Sequence, residues 1–187
     1  MTPYEALSYK LLSLKLINSI NRFQPMTNGT IITRIQDAIV MGSEIVESAQ
    51  NEVMWLAPRP TLIYASQFGI IEKFQTLIQN GVTVRGISDL SYVYIDTVRE
   101  LLDIGQNVRH FEKYQGVFMV LGDGRKSIST ISVDAENLLI DDPVVAFWSE
   151  DPTYAEYLMS TFEMAWKQAI PAAQRIEELL KEGPPQV

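Results

Sequence analysis

The chain has no cysteine, a single histidine and no excess of basic side chains. Each shortage removes a class of function. Without cysteine there is no disulfide, thiolate nucleophile, Fe–S cluster or Cys-ligated zinc. One histidine, His110, cannot supply a multi-histidine metal site, and the sequence implies neither a metal nor another cofactor. Fifteen Lys and Arg stand against 23 Asp and Glu, a formal net charge of −8. Such a balance repels a phosphate backbone, so direct nucleic-acid binding is not expected. Long apolar runs are also missing: Leu11 to Ile20 is broken by Lys15, Asn18 and Ser19, with no small-residue cleavage site behind it. Nothing reaches the roughly 18 apolar residues of a membrane span, so a cytoplasmic protein without a membrane partner is expected. What is present is ordinary globular composition: 187 residues, 47% hydrophobic and 20% charged, enough for one domain with its own core.

Tyr4, Leu7, Leu11, Leu14 and Ile17 recur at helical spacing, so a first helix is expected over 4–22, stopped by Gln24-Pro25. Asn28-Gly29-Thr30 reads as a turn. A second helix is expected from Ile31 to Ala49, where Ile31, Ile35, Ala38, Gly42, Ile45 and Ala49 form a heptad seam. Ile32, Ile39 and Val46 widen that stripe. It suits either a helix lying across a sheet or one that pairs with its twin in a homodimer. EVMWLA (52–57), stopped by prolines, reads as a buried strand; a helix is expected over 66–80 with Phe68, Ile71, Phe74, Leu77 and Ile78 inward. A strand over 82–88, a helix over 92–104 and a strand over 107–111 follow. Strand, helix, strand, helix, strand at such short connections predicts a parallel sheet.

Asp123-Gly124 lies between two strand-like runs and predicts a two-residue hairpin in which both turn positions take positive φ. GDGRK lacks the GxxxxGK[ST] pattern and no helix follows it, so it is not read as a phosphate loop. The carboxylates Asp134, Glu136, Asp141 and Asp142 read as a solvated loop. VVAFWS gives a further strand, and Asp151-Pro152 caps a long helix that Pro171 kinks or breaks and Gly183-Pro184-Pro185 ends. Trp55 and Trp166 are assigned to core.

NEVMWLAPRP, NGVTVRGISD, NVRHF, GVFMVLGDGRKSIST and VVAFWSEDPTYAEYLMSTFEMAWKQA, in that order, resemble the effector domain of archaeal TrmB-type transcription regulators. That domain is itself similar to a phospholipase D half-domain without its catalytic residues. The resemblance runs from about Ile31 to Ala169 and includes Trp148, Phe162 and Trp166. It implies an α/β fold: a phospholipase D-like mixed sheet, parallel βαβαβ followed by an antiparallel hairpin, with helices on both faces and N-terminal helices. The organisation expected is an N-terminal helix and turn (1–30), the effector-like domain (31–183) and a tail (184–187). The resemblance also implies a cytoplasmic, archaeal setting in transcription regulation and a sugar-like small-molecule effector; since residues 1–30 are too short for a winged helix, either a stand-alone sensory domain or a DNA-binding protein partner is expected.

Phospholipase D chemistry requires His-x-Lys-x4-Asp. With Asp123 as the aspartate, Gly116 stands for the histidine and Phe118 for the lysine, and neither can attack phosphorus or neutralise phosphate. His110 lies six residues too early. The expectation is therefore a non-catalytic ligand-sensing or protein-interaction domain, dimeric through the seam, with a cleft at the carboxyl ends of the strands lined by Arg85, Asp89, His110, Asp123, Trp148 and Glu150. For each of these a surface or packing role is also open. The alternatives are a hydrolase with an unrecognised site, for which Lys113 and the carboxylates are the available groups, and a structural dimerisation module whose cleft is closed by Phe118 and Phe147.

Overall fold

The computed structural model describes residues 29–58, 61–112, 118–130 and 143–184. The helix expected over 4–22, Lys113, the acidic loop 134–142 and most of the tail lie outside them. In chain order the elements are β1 (Gly29–Arg34), α1 (Ile35–Ser48), β2 (Glu52–Leu56), α2 (Thr61–Gln67), α3 (Ile70–Gln79), β3 (Thr83–Ser88), α4 (Ile95–Asp103), β4 (Asn107–His110), β5 (Met119–Gly122), β6 (Lys126–Thr130), β7 (Pro143–Ser149), α5 (Pro152–Gln168), β8 (Ile170–Pro171) and α6 (Ala172–Glu182).

The strands form one eight-stranded sheet in the order β1-β7-β6-β5-β2-β3-β4-β8. β2, β3 and β4 run parallel, as the short βαβαβ connections require, and the pairings on either side of them are antiparallel. Alternation along each strand separates two cores. Val53, Trp55, Val84, Val108, Val120, Ile128 and Ala146 point to the side covered by α1 to α4 and α6. Met54, Leu56, Ile87, Met119 and Leu121 meet Ala155, Leu158, Phe162 and Ala165 of α5 on the other.

Two expectations are corrected. Gly29 to Arg34 is a strand, not a turn followed by helix, and Ile31 is 69% exposed on it. The run GTIITR is rich in β-branched residues, and the open edge of β7 offers it a ladder from Gly29 opposite Ser149 to Arg34 opposite Pro143. The helix therefore starts at Ile35, after an extended Arg34 whose guanidinium pairs with Asp37 at 2.8 Å. The helix expected over 66–80 is instead the pair α2 and α3, divided by Gly69 at φ +68, a left-handed conformation that ends one helix and starts the next. Phe68, expected inward, falls on that junction and is 45% exposed.

The punctuation read from local residues is present. Asp123 and Gly124 both have positive φ, and the Arg125 N–H closes the turn onto the Gly122 carbonyl. The Asp151 carboxylate caps α5 by accepting from the N–H groups of Thr153 and Tyr154. Pro171 breaks the last helix, and Ile170–Pro171 pairs briefly with β4 before α6 begins. Among the described residues no helix is long and apolar enough to cross a membrane.

Trp55 fixes the centre of the α1–α4 side. Its Nε1–H donates to Gln106 Oε1 at 3.1 Å, its ring stacks on Phe74, and its indole covers Gly86 on the neighbouring strand. A Cβ at position 86 would lie 2.0–2.7 Å from three indole carbons. Gly86→Ala is therefore expected to destabilise the protein by about 1–3 kcal/mol, the usual range for overpacking. Urea unfolding should show most of that loss relieved when Trp55→Leu is added, because the two changes share one contact.

Candidate functional site

The space that could hold a ligand lies over the carboxyl end of β2, between the sheet and α1, α2 and α3. It is a cavity of about 120 Å³. Ile35, Ala38, Ile39, Gly42, Ser43 and Val46 of α1 form one wall. Thr61, Leu62, Tyr64 and Ala65 of α2, with Ile70 and Phe74 of α3, form another. Trp55, Ala57, Phe118, Val120, Thr130 and Val144 form the floor, and Leu101 of α4 completes the lining. β5 and β7 enter the sheet at this end while β2 and β6 leave it, so alternation carries both Phe118 and Val120 onto the cavity side.

Among the described residues the surface facing the space is almost entirely apolar, and most of its polar side chains make a hydrogen bond within the protein. Ser43 Oγ accepts from the Lys73 ammonium, Thr61 Oγ1 donates to the Pro58 carbonyl at 2.6 Å, and Thr130 Oγ1 accepts from the Phe118 N–H at 3.2 Å. The Trp55 N–H is committed to Gln106.

Gly42 lines this space. It sits inside α1, where glycine is worth about 1 kcal/mol less than alanine, yet no close approach requires it. A Cβ there would stand 3.7 Å from Ile128 and 3.9 Å from Val120, ordinary contact distances.

None of the six residues expected to line the cleft lines this cavity, and the structure does not bring them together. Asp89 and His110 are buried at the carboxyl ends of β3 and β4. Asp123, Trp148 and Glu150 lie at the opposite end of the strands, because β5 and β7 run against β2. Trp148 packs half-buried on the α1 side and Glu150 is exposed. Phe118 and Phe147 do not close a cleft together either: Phe118 faces the cavity, while Phe147 packs edge-on against Tyr154 of α5.

Arg85 projects to the α5 side. Its guanidinium binds Glu52 at 2.6 Å and Glu163 at 2.7 Å and lies 5.2–5.3 Å from the ring centroids of Phe162 and Trp166. Arg109 sits 4.4 Å from the other reach of Trp166 and donates to that residue's own carbonyl. Trp166 is half-buried, packed against the α5-side core and stacked on Phe162, with both guanidinium groups near its ring.

Asp123 is a staple. Its carboxylate accepts from the backbone N–H groups of Gln50, Asn51 and Glu52 at 2.8–2.9 Å. Partial burial raises its pKa, but the three donations outweigh it and hold the group below its ordinary value.

His110 is held neutral. Burial is the main cause, the nearby Arg175 guanidinium adds to it, and Glu112 at 3.3 Å opposes it only in part. Its Nδ1 accepts from the Leu90 N–H at 2.8 Å, which leaves the ring proton on Nε2, toward Glu112. Among the described residues no three His, Asp or Glu side chains converge as a metal-ligand group.

The heptad seam is turned inward. Ile35, Ala38, Gly42 and Ile45 are buried beneath α1 against this chain's own sheet, with Ala49 buried just beyond its end. The outward face of α1 instead presents Gln36, Val40, Glu44 and Glu47. The cavity residues escape a search for charged or polar groups at strand ends. The readable signals were the unforced Gly42 and the second stripe of Ile39 and Val46.

No protein-family model matches the chain, and no curated protein matches it. Its fold is that of solved phospholipase D-like structures. The chain aligns with TrmBL2, an archaeal chromatin protein with a novel mode of DNA binding, at TM-score 0.59 and 14% identity over 89% of this chain. It spans 63% of that protein's length. It also aligns with Nuc, a phospholipase D family member from Salmonella typhimurium, at TM-score 0.57 and 13% identity over 76% of this chain and 97% of Nuc. NucT from Helicobacter pylori aligns at 0.57 and 11% identity over 76% of this chain and 98% of NucT.

Two substitutions test the polar groups. Asp123→Ala is expected to cost about 2 kcal/mol in urea unfolding, the scale of hydrogen bonds to a charged group, and Asp123→Asn less, since Asn keeps one acceptor and tolerates positive φ. Folding lowers the His110 pKa, so the unfolded chain binds more protons below the ordinary value of 6.5. Stability should be complete above that value and fall, by up to about 1.4 kcal/mol per pH unit, as pH drops through the folded pKa. His110→Asn, which can still accept from Leu90, should flatten that limb of the stability–pH curve.

Proposed function

We propose that this chain is a non-catalytic binding domain, a phospholipase D-like scaffold in which a small-molecule cavity stands in place of a reaction centre. The observation that carries this reading is Phe118. It occupies the position where the phospholipase D pattern calls for a phosphate-neutralising lysine, and its side chain lines an apolar cavity. A pentavalent phosphoryl transition state needs fixed positive charge and a nucleophile within reach. Among the described residues the cavity offers neither, and the aspartate of the pattern, Asp123, is spent on three backbone N–H groups.

Occupancy of such a cavity would be sensed through α1 and α2, the helices that wall it. The likeness to TrmBL2 supports a role beside a DNA-binding partner, and the net charge of −8 supports leaving the DNA contact to that partner. Self-association, if it accompanies sensing, would have to use a surface other than the buried seam.

Native mass spectrometry of the purified protein is the direct test. The expected result is a small-molecule adduct that denaturation releases, with no hydrolysis of bis(p-nitrophenyl) phosphate. Turnover of that ester that disappears on Asp123→Asn would overturn the reading in favour of an enzyme.

A further inference from the structure

From the chemistry of its wall, we infer that the cavity takes a small apolar molecule, about the size of a single aromatic ring or a branched aliphatic group, and rejects sugars. This rests on the binding-domain reading and names its ligand class. A sugar buried there would bring several hydroxyls, each needing a partner to replace lost water. Among the described residues, the surface that faces the space is almost entirely carbon, so few of those hydroxyls would find a partner, and the Trp55 N–H is taken by Gln106.

The remaining wall is aliphatic and aromatic carbon from Ile35, Ile39, Val46, Phe74, Phe118 and Val120. The volume of about 120 Å³ is close to that of dry, apolar protein cavities that accept benzene or xenon. Gly42 is one of the lining positions. No close contact demands a glycine there, and a Cβ would stand at ordinary contact distance from Ile128 and from Val120 of the floor. A chain selected for stability alone would carry alanine or larger at 42. Keeping the space open has a use only if something enters it.

The experiment follows the side-chain methyl groups of Ile35, Ile39, Ile70 and Val120 by ¹³C NMR during titration of the whole chain with toluene, and separately with glucose and maltose. Saturable shifts confined to those methyls with toluene, and none with either sugar, are expected. Gly42→Leu should weaken toluene at least tenfold. Since that variant could disturb α1, Gly42→Ala is the companion: it should fold with a higher melting temperature and bind toluene less tightly than the parent.

Shifts at these methyls with a sugar but not with toluene would overturn the ligand class and leave the binding reading standing. Absence of any toluene shift in a protein that carries a native adduct would do the same. Silence to all three probes, in a protein without an adduct, would overturn both.

Discussion

One carboxylate joins the two halves of the sheet. β2 has a parallel neighbour on one side and an antiparallel neighbour on the other, and Asp123 holds the antiparallel one in place by gathering the N–H groups of Gln50, Asn51 and Glu52. Since side chains alternate between faces, a slip of one residue between β5 and β2 would turn Phe118 and Val120 from the α1 side to the α5 side. The floor of the cavity would go with them. The staple therefore acts at one end of the strands on geometry needed at the other.

Both faces of the sheet spend their polar groups on structure. On the α5 side, Arg85 and Arg109 are consumed by carboxylates, a carbonyl and aromatic rings. On the α1 side, the Trp55 N–H is consumed by Gln106. A phospholipase D-like scaffold that binds phosphate must leave cationic groups uncommitted at the carboxyl ends of its strands. Here the described residues over the carboxyl end of β2 are Phe118, Val120 and the underside of α1.

The parts legible in the sequence are those whose cause is local. Asp123-Gly124 dictates positive φ whatever the rest of the chain does, Asp151-Pro152 caps a helix within three residues, and Pro171 breaks one by lacking an N–H. β1 was not legible, because GTIITR satisfies helical spacing and strand propensity alike, and what decides is β7, far away in sequence. The division of α2 from α3 turned on the backbone of Gly69, in a stretch whose apolar spacing runs on without a break. The six residues expected at a polar cleft were chosen for sitting at strand ends, but strand ends point two ways in a mixed sheet. The cavity itself arises where four helices and four strands leave space between them, a property of tertiary packing that no single segment carries.

The pairing of β1 with β7 also bears on how the chain comes to be folded. Gly29 finds its partner Ser149 about 120 positions later, whereas β2, β3 and β4 close on near neighbours through single crossovers. Pairings of such long sequence separation form late and slow folding. At ribosomal speeds of about 5–20 residues per second, β1 would wait on the order of ten seconds for β7 to be made. During that interval a β-branched strand with both edges unpaired is a template for any other extended chain. The step most exposed to misassembly is therefore the closing of the outer edge of the sheet, and a chaperone that shielded GTIITR during synthesis would protect the whole domain.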